Sequence, residues 1–155
     1  MLGLVQKNRG GTFTSDLNKI TRRYIKKEGY FRAFNYSGKI DFILITPWRI
    51  LCITGNKFAG KCIGNLEAVN WIIGNKTIPN PILSNEENIK FLKSILGEDA
   101  PIENVVLFMG HIDLSEMKNY KEIFTIKKFL NYIEKTNDGL QIDSKEYYQM
   151  LIDNR

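Results

Sequence analysis

The chain of 155 residues is 43% apolar and 25% charged, proportions that suit one compact domain around a single core and exclude a disordered chain. No apolar run approaches the ~18 residues of a membrane span, and MLGLVQKNRGG shows neither the apolar core nor the small-residue cleavage site of a secretory signal, so a soluble cytoplasmic protein is expected. The net charge of +5 is held unevenly: residues 1–39 carry nine Lys/Arg against two Asp/Glu, and the remainder thirteen against fifteen.

The basic segment predicts a helix, because Phe13, Leu17, Ile20 and Tyr24 recur at the spacing of one helical face. Thr14 or Ser15 would cap its start and Gly29 its end. Lys19, Arg22, Arg23, Lys26 and Lys27 fall largely on the other side, a cationic surface that can meet phosphates through counterion release. The plainer reading of those charges is a solvated face of a lysine-rich protein.

Beyond Gly29 the pattern becomes extended. YFRAFNY alternates aromatic and polar residues, KIDFILIT is almost continuously apolar, and RILCIT follows a Pro47-Trp48 turn. Three strands in hairpin succession are predicted, with 40–46 and 49–54 as antiparallel neighbours. GKCIGN and NWIIGNKTIPN predict two more short strands, with a bend at Gly74 and Asn75. Asn80-Pro81 then opens a helix that turns Ile82, Ile89, Leu92 and Ile95 or Leu96 inward and stops at Gly97, with Glu86 and Glu87 as an acidic first turn. NVVLFMG, at 104–110, predicts a central strand reached by a crossover through that helix, so the sheet is mixed and the class is α/β. Ile123, Phe124 and Thr125 end a short strand, Thr125 caps a helix burying Phe129, Leu130 and Ile133, and Asp143 and Glu146 have capping-box spacing ahead of a terminal helix, EYYQMLID.

Cys52 and Cys62 lie in apolar stretches, and with a single histidine and no CxxC the chain offers neither a disulfide framework nor a zinc site. His111 reads as a surface histidine, and Trp48 and Trp71 as hairpin and core packing rather than base-stacking platforms.

The run KIDFILITPWRILCITGNKFAGKCIGN, then NWIIGNKTIPNPILSNEENIKFLKSILG, then IENVVLFMG, resembles the bacterial nuclease-related domain of the PD-(D/E)xK nuclease superfamily. The specific elements are Ile40-Asp41 opening an apolar strand, the Pro47-Trp48 hairpin, and the series Phe58-Ala59-Gly60, Gly64, Trp71, Asn80-Pro81, within a similarity over roughly 10–135. The resemblance implies one restriction-endonuclease-like domain over 1–155, a central mixed sheet flanked by helices, with the active site at one end of that sheet. In the family a glutamate follows a glycine on the first helix, an aspartate begins the second strand, and the third strand supplies a glutamate and, two residues on, a lysine. The carboxylates hold Mg²⁺, and the lysine helps to position and stabilise the attacking hydroxide.

Of these four positions this chain keeps only Asp41: Gly11 is followed by Thr12, and Thr54-Gly55-Asn56 stands where Glu-x-Lys is expected. Lys57, Lys61 and Glu67 are candidates for a migrated site, although a one-residue shift along a strand turns a side chain to the other face. Asp41 alone suits either a residual ion site or a structural bond. The resemblance with these departures therefore implies a degenerate, non-cleaving pseudoenzyme that meets DNA through the basic helix as an accessory module, without a cofactor and without a membrane. Two alternatives stand beside it: a protein-interaction or scaffolding module, and a Mg²⁺-dependent DNA nuclease with a migrated site.

Overall fold

The computed structural model describes residues 2–135 and 139–155, with side chains from Phe13 onward. The chain opens with α1 (Leu2–Ile25), so the first helix begins well before the expected caps, and Thr14 and Ser15 lie inside it. Gly10 and Gly11 do not break it: a helical glycine costs about 1 kcal/mol relative to alanine but keeps its backbone donor and acceptor. Phe13, Leu17 and Tyr24 are buried as expected. Ile20 is only half-buried, and Thr21 takes the inward place, its hydroxyl donating to the Leu17 carbonyl at 2.8 Å. The helix ends at Ile25, four residues short of the expected Gly29 cap, so Lys26 and Lys27 lie in the turn that follows it rather than on the helix; Gly29, at φ +86°, completes that turn close to Pro47.

Strands β1 (Phe31–Tyr36), β2 (Ile40–Ile45) and β3 (Ile50–Asn56) form the expected antiparallel run, with Phe42 opposite Ile53 and Ile45 opposite Ile50. Buried Thr46 fixes the tight β2–β3 turn, its hydroxyl oxygen accepting from the Trp48 and Arg49 N–H groups at 3.2 and 3.1 Å. Next come β4 (Gly60–Ile63), β5 (Asn70–Ile73) and β6 (Lys76–Pro79), so NWIIGNKTIPN is itself a hairpin around Gly74-Asn75. Helix α2 (Pro81–Leu96) starts at Asn80, whose side chain accepts from the N–H groups of Ile82 and Leu83. Glu86 and Glu87 lie beyond its first turn, because Asn80-Pro81 sets the start five residues earlier; both are exposed, and Glu87 pairs with Lys90.

The crossover through α2 delivers β7 (Ile102–Phe108) parallel to β3, with Ile53 opposite Val105. The chain closes with β8 (Ile112–Asp113), β9 (Ile123–Thr125), α3 (Ile126–Lys135) and α4 (Ser144–Asp153). Thr125 and Asp143 serve as the expected caps of the last two helices.

The strands divide between two sheets rather than one. A mixed sheet has the order β1-β2-β3-β7-β9, and a smaller sheet has the order β6-β5-β4-β8. Helices α1 and α3 cover one face of the mixed sheet through Phe13, Leu17, Phe129 and Ile133 on Phe42, Leu51, Ile53 and Leu107. Helices α2 and α4 cover the other, through Leu92, Leu96 and Leu151 on Ile43, Ile45, Ile50 and Cys52. The small sheet folds Trp71, Cys62 and Ile73 onto Ile82, Val106 and Phe108. Among the described residues no helix is long and apolar enough to cross a membrane.

Candidate functional site

Asp41 opens β2 and Thr54 stands across from it on β3, one step beyond the Phe42–Ile53 pair. The Thr54 hydroxyl donates to Asp41 Oδ2 at 3.2 Å, and both residues are half-buried. Strand alternation places them on the α2 face with Cys52, whose thiol meets Asn85 Oδ1 of α2 at 3.4 Å. Burial pushes that thiol up to about 12, and the neighbouring Asp41 carboxylate adds to the shift. Asn56 is buried and ties off the end of β3: its side-chain oxygen accepts from the Phe58 N–H at 3.1 Å, and its carbonyl from the Met109 N–H at 2.9 Å.

Between Thr54 and Asn56 only glycine fits. A Cβ on Gly55 would fall 2.1 Å from the Leu107 carbonyl oxygen and 2.6 Å from the Phe13 ring. Phe13 thereby lays α1 across the end of β3, and Lys57, one residue beyond the strand, turns toward that helix. Its ammonium lies 2.5 Å from Asp16 Oδ2. Asp16 is four residues after Thr12 and so shares its helical face; the Thr12 side chain itself lies outside the described ones. The fold thus joins Asp41 to Thr54 on the α2 face and Lys57 to Asp16 on the α1 side. Lys61 lies exposed on β4, 3.7 Å from Glu116, and Glu67 is in the turn after β4 rather than on a strand, its N–H donating to Asn65 Oδ1. Glu67 has no strand to ride because Asn65 folds the chain back, accepting from both Glu67 and Ala68.

A divalent magnesium ion prefers an octahedral set of oxygens with carboxylates among them. One carboxylate already bonded to a hydroxyl, beside a buried amide committed to the backbone, does not fit that ion. No group of three or more His, Cys, Asp or Glu suited to a metal occurs among the described residues.

A cationic surface runs from the last turns of α1 into the turn that follows it. Lys19, Arg22, Arg23, Lys26 and Lys27 are all exposed. Lys19, Arg22, Arg23 and Lys26, with Ile20, line an open groove against Leu130 of α3. Arg23 Nη2 reaches Glu134 Oε1 at 2.5 Å and the Tyr24 hydroxyl at 2.7 Å, and the Lys27 ammonium stands 5.5 Å from the Tyr24 ring centroid. Burial, with the adjoining Glu134, raises the Tyr24 phenol above its ordinary value. His111 is exposed, and Trp71 and both cysteines are buried, in line with their packing roles; Trp48 is half-buried at the hairpin.

A helix, a three-strand antiparallel run, a crossover helix and a parallel strand define an α/β domain of the restriction-endonuclease-like class. The family model for the nuclease-related domain matches residues 7–109, about two thirds of the chain, and the chain belongs to that family. The match takes in α1 from residue 7 through β7, and hence Asp41, Thr54, Asn56, Lys57 and the five cations between Lys19 and Lys27. No curated protein matches the chain, and no solved structure does.

Proposed function

We propose that this nuclease-related domain no longer cleaves and instead binds nucleic acid, in the cytoplasm, as an accessory module using the cationic surface of α1 and the turn after it. The observation that carries the reading is the Asp41–Thr54 bond: where the family aligns two carboxylates for a metal, this chain has a hydroxyl donating to the one that remains. The same domain carries an exposed set of cations, Lys19, Arg22, Lys26 and Lys27. Such a set neutralises phosphates and releases counterions without reading bases, which gives salt-sensitive binding that is insensitive to sequence.

The test is gel retardation of a labelled duplex by the whole chain and by the double variant Arg22→Glu/Lys26→Glu, with circular dichroism of both. Retention by the parent and loss in the variant, with unchanged dichroism, is the expected result. Equal retention by both would move the surface elsewhere. Failure of the parent to retain DNA at low salt would favour the protein-interaction reading, for which the exposed cross-strand pair Ile63 and Ile72 on the small sheet is the supporting observation.

A further inference from the structure

The five cations of α1 and the turn after it are not equivalent. Arg22, Lys19 and Lys26 border the groove between α1 and α3 with no ion pair among the described contacts, whereas Arg23 is held by an acidic group from a segment more than a hundred residues away in sequence. Glu134 Oε1 accepts from Arg23 Nη2 at 2.5 Å and from the Tyr24 hydroxyl at 2.7 Å. The same guanidinium donates to the Tyr24 hydroxyl at 2.7 Å and lies 4.9 Å from the centroid of that ring. Three contacts therefore converge on one side chain at the edge of an otherwise cationic groove. The floor of that groove is aliphatic, Ile20 from α1 and Leu130 from α3, and none of its lining residues is aromatic. Lysine and arginine stems can lie along such a floor while their heads stay in water, and without a ring there is no platform on which a base could stack.

Building on the binding role proposed above, we propose that a nucleic-acid phosphate backbone lies in the groove between α1 and α3, and that Glu134 is a built-in brake on its binding. The carboxylate acts twice. It neutralises Arg23, so that a phosphate must compete for the guanidinium or bind without it, and it places a negative charge beside the phosphate path. Both effects remove one cation from the set that releases counterions, leaving a groove tuned for weak, reversible contact.

The experiment is a salt titration of duplex affinity by fluorescence anisotropy, using the whole chain, Glu134→Gln, Arg23→Gln, the combined variant, and Glu87→Gln as a control. Glutamine at 134 keeps an acceptor for the Tyr24 hydroxyl, and thermal melting verifies that each variant is folded. Glu87→Gln also removes one negative charge and frees a lysine, Lys90, but on α2. Glu134→Gln should bind several-fold tighter at low salt, with a log–log slope steeper by about 0.9, the signature of one added phosphate contact. Arg23→Gln should leave the parental slope nearly unchanged, the combined variant should return to it, and Glu87→Gln should match the parent. A Glu134→Gln slope equal to the parental one, or an equal gain in Glu87→Gln, would overturn the brake while leaving the binding role intact. Absence of binding by the parent at any salt, or capture by anionic vesicles in place of duplex, would overturn both.

Discussion

Thr54 and Asp41 face each other at the end of the β2–β3 hairpin, hydroxyl to carboxylate at 3.2 Å. The resemblance to the family's nucleases implies a second carboxylate at the threonine position, sharing a cation with the aspartate. Here a hydroxyl donates to the aspartate instead. Thr54→Glu should therefore set two negative charges side by side and lower the melting temperature in chelator, since neighbouring carboxylates resist joint ionisation. Mn²⁺ or Mg²⁺ should restore the loss in the variant and leave the parent unmoved. Adding Thr12→Glu and Asn56→Lys should strengthen metal binding without giving efficient cleavage, because the surrounding hydrogen bonds are no longer arranged to orient those groups. A parental melting temperature that climbs with either metal would contradict this.

Gly55 is required by contact rather than by backbone angle. Gly55→Ala would drive a methyl group against the Leu107 carbonyl and the Phe13 ring. Overpacking of this kind costs ~1–3 kcal/mol, and the helix that carries the cations would shift with Phe13. Urea denaturation should report the loss; a variant as stable as the parent would show that α1 is not seated there.

Asn85 is fully buried on α2 and serves four partners. Its Nδ2 donates to the Cys52 carbonyl and to Asn104 Oδ1, both at 2.8 Å, while its Oδ1 accepts from Asn88 Nδ2 and the Cys52 thiol. Asn85→Leu strands those groups at ~1–3 kcal/mol for each one left without a partner or water, so a clear drop in the urea midpoint is expected. Retention of the parental midpoint would mean that the network contributes nothing to docking α2 on β3 and β7.

Burial raises the Cys62 thiol to about 11 and the Cys52 thiol to about 12, from an ordinary 9.0. A raised value in the folded state means that the stabilisation is complete below pH 9 and is lost as pH climbs through 11 and 12. Melting temperature should accordingly fall across that alkaline window, and less steeply in Cys62→Ala. Neither thiol should react with a thiol reagent at neutral pH until the chain is unfolded; one fast-reacting equivalent in the native protein would refute this.

Local chemistry made much of the fold legible. Alternating and continuous apolar runs foretold β1 to β3, Asn80-Pro81 foretold the start of α2, and the crossover argument foretold β7 beside β3. Because register follows from the hairpin, the facing of Asp41 and Thr54 was implicit as well. The separate small sheet was not legible, since an apolar–polar alternation over four residues does not say which sheet a strand joins. Nor was the partner of Lys57 or of Arg23: Asp16 and Glu134 are ordinary surface carboxylates until the packing of Phe13 on Gly55, and of α3 beside α1, brings them within 2.5 Å. The acidic start assigned to α2 failed on a count of positions, since Glu86 and Glu87 stand six and seven residues past the Asn80 cap.

A domain that holds nucleic acid without cutting it can be tested on both halves in one gel. Labelled duplex is incubated with the whole chain and Mn²⁺ at low salt, then run once natively and once after protein removal. The expected result is a retarded complex that releases full-length DNA. Shortened fragments that disappear in Asp41→Ala, or duplex that migrates free at every protein concentration, would contradict it.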